Sequence, residues 1–345
     1  MFKRPMRLLS GLVLGLAIAG CSLGPFAAGE GVESRLAAQS SRATYQLFVE
    51  PDEGQAPVLT AIQKAKASVD VVVYMLSSPE IIQALCEAHG RGVKVRVLLE
   101  QRPFNPSNPN VPLPINKKTF ETLEAAGVPV RYADRRFVYT HQKTMIVDQK
   151  AAYILTANLS RAAFEKNREY GLINRSESDV AEIQAMFEAD WEHKAFTPMD
   201  PDLVVSPDNS RSRLVSFIRS AKRSVMVQDE VMGDQEVADA LGERVRAGVD
   251  VKVQAAKFEP NALGDTNAKL LKQLNDVGVS QVRFQVKPML HAKLIVVDGE
   301  AAYVGSINLT TNSLNNNREL GVIVRERAIV NRLVTFSSAD WKAAM

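Results

Sequence analysis

The sequence predicts an α/β fold: two similar α/β sandwich domains, related by a pseudo-twofold duplication, each with a mixed sheet flanked by helices. Two observations support this fold class. Residues of the first half recur in the second half at fixed spacings, and within each half helical apolar patterns alternate with short continuous apolar runs. Such alternation is typical of layered α/β domains, so its repetition predicts that the same layered unit is used twice.

The repeat has two offsets. In its later part the offset is 150 residues, as between Ala151–Tyr153 and Ala301–Tyr303. In its earlier part the offset is 156 residues, as between Pro51-Asp52 and Pro207-Asp208. The extra residues of the first half fall in the segment 102–118, whose five prolines and four asparagines predict a loop. This loop is either a tolerated insertion or a wall of the active-site cleft.

The elements of the first half follow in order. Helical spacing covers 56–67 and 79–89, whereas 69–74 and 93–99 are apolar runs typical of strands buried on both faces of a sheet. Proline interrupts both patterns at 196–201. We therefore predict two domains, at 43–197 and 198–345.

The N-terminal segment differs from the rest of the chain. Three basic residues precede an apolar run at 8–19, which is too short to span a bilayer and stops just before Cys21. The run resembles a bacterial lipobox, in which the cysteine is acylated. The alternative is an ordinary signal peptide followed by an incidental cysteine. We expect a signal peptide at 1–20 and a membrane-anchored, exported lipoprotein, located in the outer membrane or periplasm if the cell is Gram-negative.

The composition limits the partners. Residues 21–42 are rich in Ala, Ser and Gly and predict a flexible tether. The net charge is +3, and the three basic residues of the signal account for it, so the mature chain is close to neutral. Bulk charge therefore gives no support for a nucleic-acid partner.

The polar residues that recur define a candidate site. On strands, alternation brings a histidine and the lysine two residues later to one face, and the next strand adds a hydroxyl and an amide. In the two halves these residues are His141, Lys143, Thr156 and Asn158, and His291, Lys293, Ser306 and Asn308.

These side chains suit a phosphodiester. Lysine and asparagine donate to phosphoryl oxygens, and histidine attacks phosphorus or moves protons near neutral pH. One such motif alone favours a structural histidine beside a surface lysine; two of only four histidines at matching positions favour catalysis. We find no pattern for a metal site and expect no cofactor.

The pattern His-x-Lys-x4-Asp, followed after six residues by Gly-Ser-x-Asn, resembles the HKD signature of the phospholipase D superfamily. The second copy matches fully, with Asp298 and Gly305, whereas the first has Asp148 but Leu155 in place of the glycine. The resemblance covers nearly all of the chain after the tether.

The resemblance implies a mechanism. One histidine becomes a phosphohistidine and the other protonates the leaving group; the usual order assigns these roles to His141 and His291, although the spacing does not distinguish them. Glu169 and Glu319 match the acidic residues that orient the imidazoles, the alternative being exposed carboxylates at strand starts. Asp148 and Asp298 match structural supports.

We therefore expect a phospholipase D-type phosphodiesterase or phosphatidyl transferase with a phospholipid substrate and a membrane partner. A metal-independent nuclease and a non-catalytic phosphate-binding lipoprotein are the alternatives. The head group, the choice between hydrolysis and transfer, and the oligomeric state stay open.

Overall fold

The computed structural model describes residues 44–108, 110–260 and 264–345. The predicted signal peptide, the lipidation site Cys21 and the tether lie outside the described residues. No helix in the described ranges is long and apolar enough to cross a membrane.

The first half contains one mixed sheet and five helices in its described residues. Its strands are β1 Tyr45–Glu50, β2 Ser68–Val73, β3 Lys94–Leu99, β4 Val130–Tyr132, β5 Lys143–Val147, β6 Ala151–Leu155 and β7 Asn167–Asn174. Its helices are α1 Ala56–Lys64, α2 Pro79–Gly90, α3 Ile115–Ala125, α4 Arg161–Lys166 and α5 Glu177–Trp191.

The second half repeats this order after residues 194–200, which contain no helix or strand. Its strands are β8 Leu203–Ser206, β9 Ser224–Asp229, β10 Asp250–Ala256, β11 Val282–Gln285, β12 Met289–Leu290, β13 Lys293–Val297, β14 Ala301–Gly305 and β15 Glu319–Val324. Its helices are α6 Ser210–Arg219, α7 Gln235–Arg246, α8 Thr266–Asp276, α9 Thr311–Asn315 and α10 Arg327–Ala343.

The two sheets have the same topology. The first runs β1-β7-β6-β5-β2-β3-β4 and the second runs β8-β15-β14-β13-β9-β10-β11. In both, one inner strand pairs in parallel with one neighbour and antiparallel with the other: β2 does so with β3 and β5, and β9 does so with β10 and β13. The predicted fold, two mixed-sheet α/β domains flanked by helices, is confirmed. Strand β12 is an exception to the separation of the halves, because it pairs with β7 of the first sheet.

Local sequence explains where the elements begin. Helix α2 starts after Ser78, whose hydroxyl accepts a hydrogen bond from the Ile81 amide, and Pro79 occupies the first turn, where its missing N–H costs nothing. Helix α3 begins at Ile115, inside the segment 102–118 that composition predicts as a loop, so the loop is shorter than predicted.

Buried apolar side chains form three clusters in the described residues. One packs α1 and α2 on the outer face of the first sheet, through residues such as Ile62 and Leu85, and a second is its equivalent in the other half. The third includes both sheets with α5 and α10, and contains Val49, Phe187 and Val304. This shared cluster packs the inner faces of the two sheets together and brings the histidine segments of both halves to one place.

Candidate active site

Each histidine segment is attached to the opposite half. Lys143 and Lys293 are the first residues of β5 and β13, so each histidine lies two residues before its strand rather than on it. The His141 amide donates to the Arg318 carbonyl at 2.9 Å, and the His291 amide donates to the Arg168 carbonyl at 3.2 Å. Both contacts cross between the halves, so the main chain itself positions each histidine from the other sheet.

The carboxylates that face the histidines also come from the opposite half. Oε2 of Glu319 lies 2.9 Å from Nδ1 of His141, and Oε1 of Glu169 lies 2.7 Å from Nδ1 of His291. Both carboxylates are fully buried, whereas each imidazole keeps 12% of its side chain exposed. The sequence pattern finds all four residues but does not say which histidine each glutamate faces, and the structure shows a crossed pairing.

Burial and charge act in opposite directions on these glutamates. Burial alone raises the pKa of Glu319, but His141 and Lys143 outweigh burial and bring it below its ordinary value. The same holds for Glu169, where His291 and Lys293 lower the pKa. Both groups are therefore carboxylates at neutral pH and accept from the imidazole rings.

The hydroxyl groups of the motif hold in place the strands that carry Glu169 and Glu319. Thr156 donates to Glu169 at 2.6 Å and accepts from the Tyr170 amide, and Ser306 accepts equivalently from the Leu320 amide. Leu155, which departs from the motif glycine, pairs with Gly171 and buries its side chain in the outer core. The departure therefore leaves the threonine in register with its serine counterpart.

The two asparagines contribute amides with spare hydrogen-bonding capacity. Asn158 and Asn308 are 5% and 7% exposed, and their Oδ1 atoms have no hydrogen-bond partner among the described residues. Buried polar atoms are nearly always satisfied in a folded protein. Unsatisfied amides at equivalent positions next to the histidine segments are suited to bind a polar ligand.

The two lysines are buried but differ in their surroundings. Lys293 donates to Glu230 at 3.1 Å, whereas Lys143 lies 5.2 Å from the ring centre of Tyr74. Burial lowers the pKa of Lys143 to about 7, and Glu319 opposes that shift. Both lysines also donate to the carbonyl of the histidine two residues earlier, which directs their ammonium groups to the imidazoles.

Sequence reasoning misses Glu230 and Tyr74. Oε2 of Glu230 lies 3.2 Å from Nε2 of His291, and the Tyr74 ring packs edge-on against His141 with 4.5 Å between centres. These two residues are equivalent under the earlier offset of 156. They are not identical, so a comparison of matching residues passes over them.

Sequence reasoning also misses Glu50, the last residue of β1. It pairs in register with Glu169, is fully buried, and has no partner for either carboxyl oxygen in the described structure. Burial raises the pKa of Glu50 to about 8, the nearby backbone amide of Gly54 opposes the rise, and the carboxylates of Glu53 and Glu169 add to it. Its carboxyl group is therefore protonated at neutral pH.

The motif aspartates face away from the histidines. Asp148 accepts hydrogen bonds from three successive backbone amides, at 66–68, and Asp298 accepts from the equivalent amides at 222–224. Both have a left-handed backbone, with φ of 53° and 56°. Asp148 thus ties the loop before β2 to the end of β5, and Asp298 ties the loop before β9 to the end of β13.

The loop 102–114 borders the site. The Phe104 amide donates to the Tyr74 hydroxyl at 2.6 Å, and Tyr74 in turn contacts His141. A pocket of about 530 Å³ lies between this loop and the segment that leads to His141, and Arg102 and Arg135 line it. Within the described part of the chain, no group of His, Cys, Asp and Glu side chains is arranged to hold a metal ion.

Comparisons with known proteins agree with this architecture. The family model described as "Cardiolipin synthase, PLD-like domain" matches residues 58–191 and 214–341, once in each half. A cardiolipin synthase of Geobacillus kaustophilus is 25% identical over 337 residues, which cover 85% of this chain and 65% of that protein. This chain thus spans about 65% of the length of the curated relatives that it matches.

Two solved structures share the fold. A phosphatidylserine synthase of Haemophilus influenzae superimposes with a TM-score of 0.65 at 11% identity, covering 86% of each chain. A polyphosphate kinase from Porphyromonas gingivalis gives 0.64 at 15% identity, covering 85% of this chain and 46% of that one. At these identities the similarity concerns the fold alone, but the family model covers most of both halves. The chain therefore belongs to the family of cardiolipin synthase PLD-like domains, within the phospholipase D superfamily.

Proposed function

We propose that this protein is a phospholipase D-type phosphodiesterase and phosphatidyl transferase, which acts on phospholipids through a phosphohistidine intermediate. The observation that carries the proposal is the crossed pair of histidines, each with a buried carboxylate of the opposite half at Nδ1. A carboxylate at Nδ1 fixes the tautomer of the ring and leaves Nε2 for the reacting group. Two such imidazoles with two lysines form one site for a phosphodiester.

In the first step, Nε2 of His141 attacks phosphorus and the bond from phosphorus to the head-group oxygen breaks. His291 gives a proton to that oxygen, which makes the head group a neutral leaving group. The two lysines and the amides of Asn158 and Asn308 donate to the non-bridging oxygens, where charge develops. In the second step, His291 removes a proton from water or an alcohol, whose oxygen takes the phosphatidyl group from His141.

A phospholipid substrate has two further supports. The relatives are named cardiolipin synthases and one structural neighbour is named a phosphatidylserine synthase. The chain after residue 20 is close to neutral, which gives no electrostatic attraction for nucleic acid. We also propose that Cys21 carries a lipid anchor, which keeps the enzyme at the membrane. Fatty-acid labelling of the wild type that is absent in Cys21→Ser tests the anchor.

The test of the function is turnover of a phospholipid panel and of duplex DNA by the wild type, His141→Ala and His291→Ala. We expect phospholipid turnover by the wild type and a loss of about 1,000-fold or more in each variant, because each histidine has a separate chemical role. Circular dichroism of the variants controls for folding. Near-wild-type turnover by either variant, or turnover of DNA but not of lipid, contradicts the proposal.

A further inference from the structure

The two halves differ at the residue that follows β2 in the first half and β9 in the second. Tyr74 follows β2, whose last residue pairs with Lys143, and Glu230 follows β9, whose last residue pairs with Lys293. The Tyr74 amide donates to the Gln142 carbonyl, and the Glu230 amide donates equivalently to the Ala292 carbonyl. The two backbone positions are therefore the same, but one side chain is an aromatic ring and the other is a carboxylate.

In the second half, His291 lies between two carboxylates. Glu169, from β7, is 2.7 Å from Nδ1, and Glu230 is 3.2 Å from Nε2. Lys293, two residues after His291, is a cation that disfavours a charged imidazole ring, and its Nζ lies 3.3 Å from Nδ1 of His291. Glu230 also accepts from that ammonium group at 3.1 Å, so it offsets the opposing charge as well. Its own pKa is about 2, because His291 and Lys293, together with His141, outweigh the effect of burial.

In the first half, His141 has a carboxylate only at Nδ1, from Glu319 of β15. The ring of Tyr74 occupies the position of the second carboxylate. Lys143, two residues after His141, and Lys293 across the site both disfavour a charged ring. Lys143 contacts the ring of Tyr74, whereas Lys293 contacts the carboxylate of Glu230. Burial and these lysines lower the pKa of His141.

The proposed reaction gives the two histidines different roles. A nucleophilic histidine must be neutral at Nε2 when the substrate binds, whereas the histidine that protonates the leaving group must carry a proton there. The two half-sites differ in the group that faces Nε2, which is a carboxylate at His291 and an aromatic ring at His141. We propose that Glu230 is the positioning residue that assigns the acid role to His291, because it accepts from Nε2–H while Glu169 accepts from Nδ1–H, so that His291 holds both protons until the head-group oxygen takes one.

This inference rests on the proposed function and specifies how its acid is prepared. In the resting site Glu230 accepts from Nε2–H of His291. When the phosphodiester binds, the head-group oxygen replaces the Glu230 carboxylate as the acceptor of the Nε2 proton. Glu230 keeps its hydrogen bond from Lys293. As the bond from phosphorus to oxygen breaks, the proton moves from Nε2 to the leaving oxygen and His291 becomes neutral, with its remaining proton on Nδ1, where it is donated to the Glu169 carboxylate.

The variant Glu230→Gln tests the inference through the leaving group. The substrates are the phosphatidyl esters of glycerol and of p-nitrophenol, with the same acyl chains, since p-nitrophenolate leaves without a proton. We expect the variant to release glycerol about 100-fold more slowly in the first turnover, the usual contribution of a general acid, and p-nitrophenol at nearly the wild-type rate. Glu124→Gln, on the exposed surface of α3, is the matched control for loss of a carboxylate.

Three outcomes contradict the inference. Equal slowing of both esters would mean that the carboxylate acts on folding, and no slowing of either would mean that it has no role. Faster release of both would mean that the carboxylate competes with the phosphate for the site. A second measurement is independent of activity. In ¹⁵N-histidine spectra at pH 7, we expect His291 to be doubly protonated in the wild type and neutral in Glu230→Gln, with folding checked by circular dichroism. A neutral His291 in the wild type, or an unchanged ring in the variant, overturns the proposal even if the enzyme turns over neither ester.

Discussion

The carboxyl group of Glu50 is a single-residue feature with a consequence for stability. It is fully buried beside Glu169 and has no hydrogen-bond partner among the described residues. Its pKa is raised to about 8 from 4.5, chiefly by burial. Between these two values the unfolded chain releases the proton and the folded chain keeps it. The free energy of unfolding therefore falls as pH rises through this interval.

The variant Glu50→Gln removes this dependence, because glutamine is neutral at every pH. We expect the variant to be more stable than the wild type at pH 8, by on the order of 2 kcal/mol, and close to the wild type at pH 5. Urea unfolding at the two pH values measures the difference. Glu124→Gln, at an exposed position, is the control. A stability difference of the same size at both pH values would show that the carboxyl group does not titrate as its burial requires.

Single residues also show how far the sequence predicts the site. The matched polar residues of the repeat identify the histidines, lysines, asparagines and glutamates that meet in the structure. The repeat says nothing about which half supplies each partner, because a pairing such as Glu319 with His141 depends on how the two sheets pack. The repeat does not reveal Glu230 for another reason: Tyr74 stands at the matching offset of 156 but has different chemistry, so a search for identical residues passes over the pair.

At the scale of elements, the loop 102–114 is the main insertion in the first half. Phe104 and Val111 are exposed on it, and its contact with Tyr74 places it beside His141. Leu113 and Ile115 instead line a groove of about 1,210 Å³ against α2. Phe104 thus lines the pocket of about 530 Å³ beside the site, where the proposed phospholipid substrate would contact it.

Shortening this loop by six residues, 105–110, makes the first half match the second in length. We expect a changed KM or a changed preference among head groups and acyl chains, with unfolding unaffected, because these residues contribute nothing to the described core clusters. Kinetics on a phospholipid panel and thermal unfolding measure the two effects. Ser107→Ala, which keeps the length, is the control. Unchanged kinetics across the whole panel would show that the loop is only an insertion.

The structure of this segment also explains why amino-acid composition predicts too long a loop. Proline and asparagine predict a loop as far as residue 118, but α3 begins at Ile115. Asn116 is buried, donates to the carbonyls of Tyr74 and Glu100, and accepts from the Leu76 amide. Its amide therefore satisfies backbone groups of two strand ends, a tertiary contact that local composition does not contain.

At the scale of the whole molecule, the two halves depend on each other. Arg318 of the second half bonds Asp190 of α5, and Arg168 of the first half bonds Asp340 of α10, in equivalent buried ion pairs. The carbonyls of the same two arginines hold the histidine segments. Neither half by itself contains a histidine with its carboxylate, so the site exists only where both halves pack together.

The most direct measurement of the central claim is to trap the covalent intermediate. Wild type, His141→Ala and His291→Ala are quenched in alkali during turnover of the p-nitrophenyl phosphatidyl ester labelled at phosphorus, and the labelled peptide is mapped. We expect alkali-stable label on His141 in the wild type, the same label accumulating in His291→Ala, and none in His141→Ala. Label on His291 would reverse the roles of the two histidines, and turnover without any labelled histidine would contradict a shared site that works through a phosphohistidine.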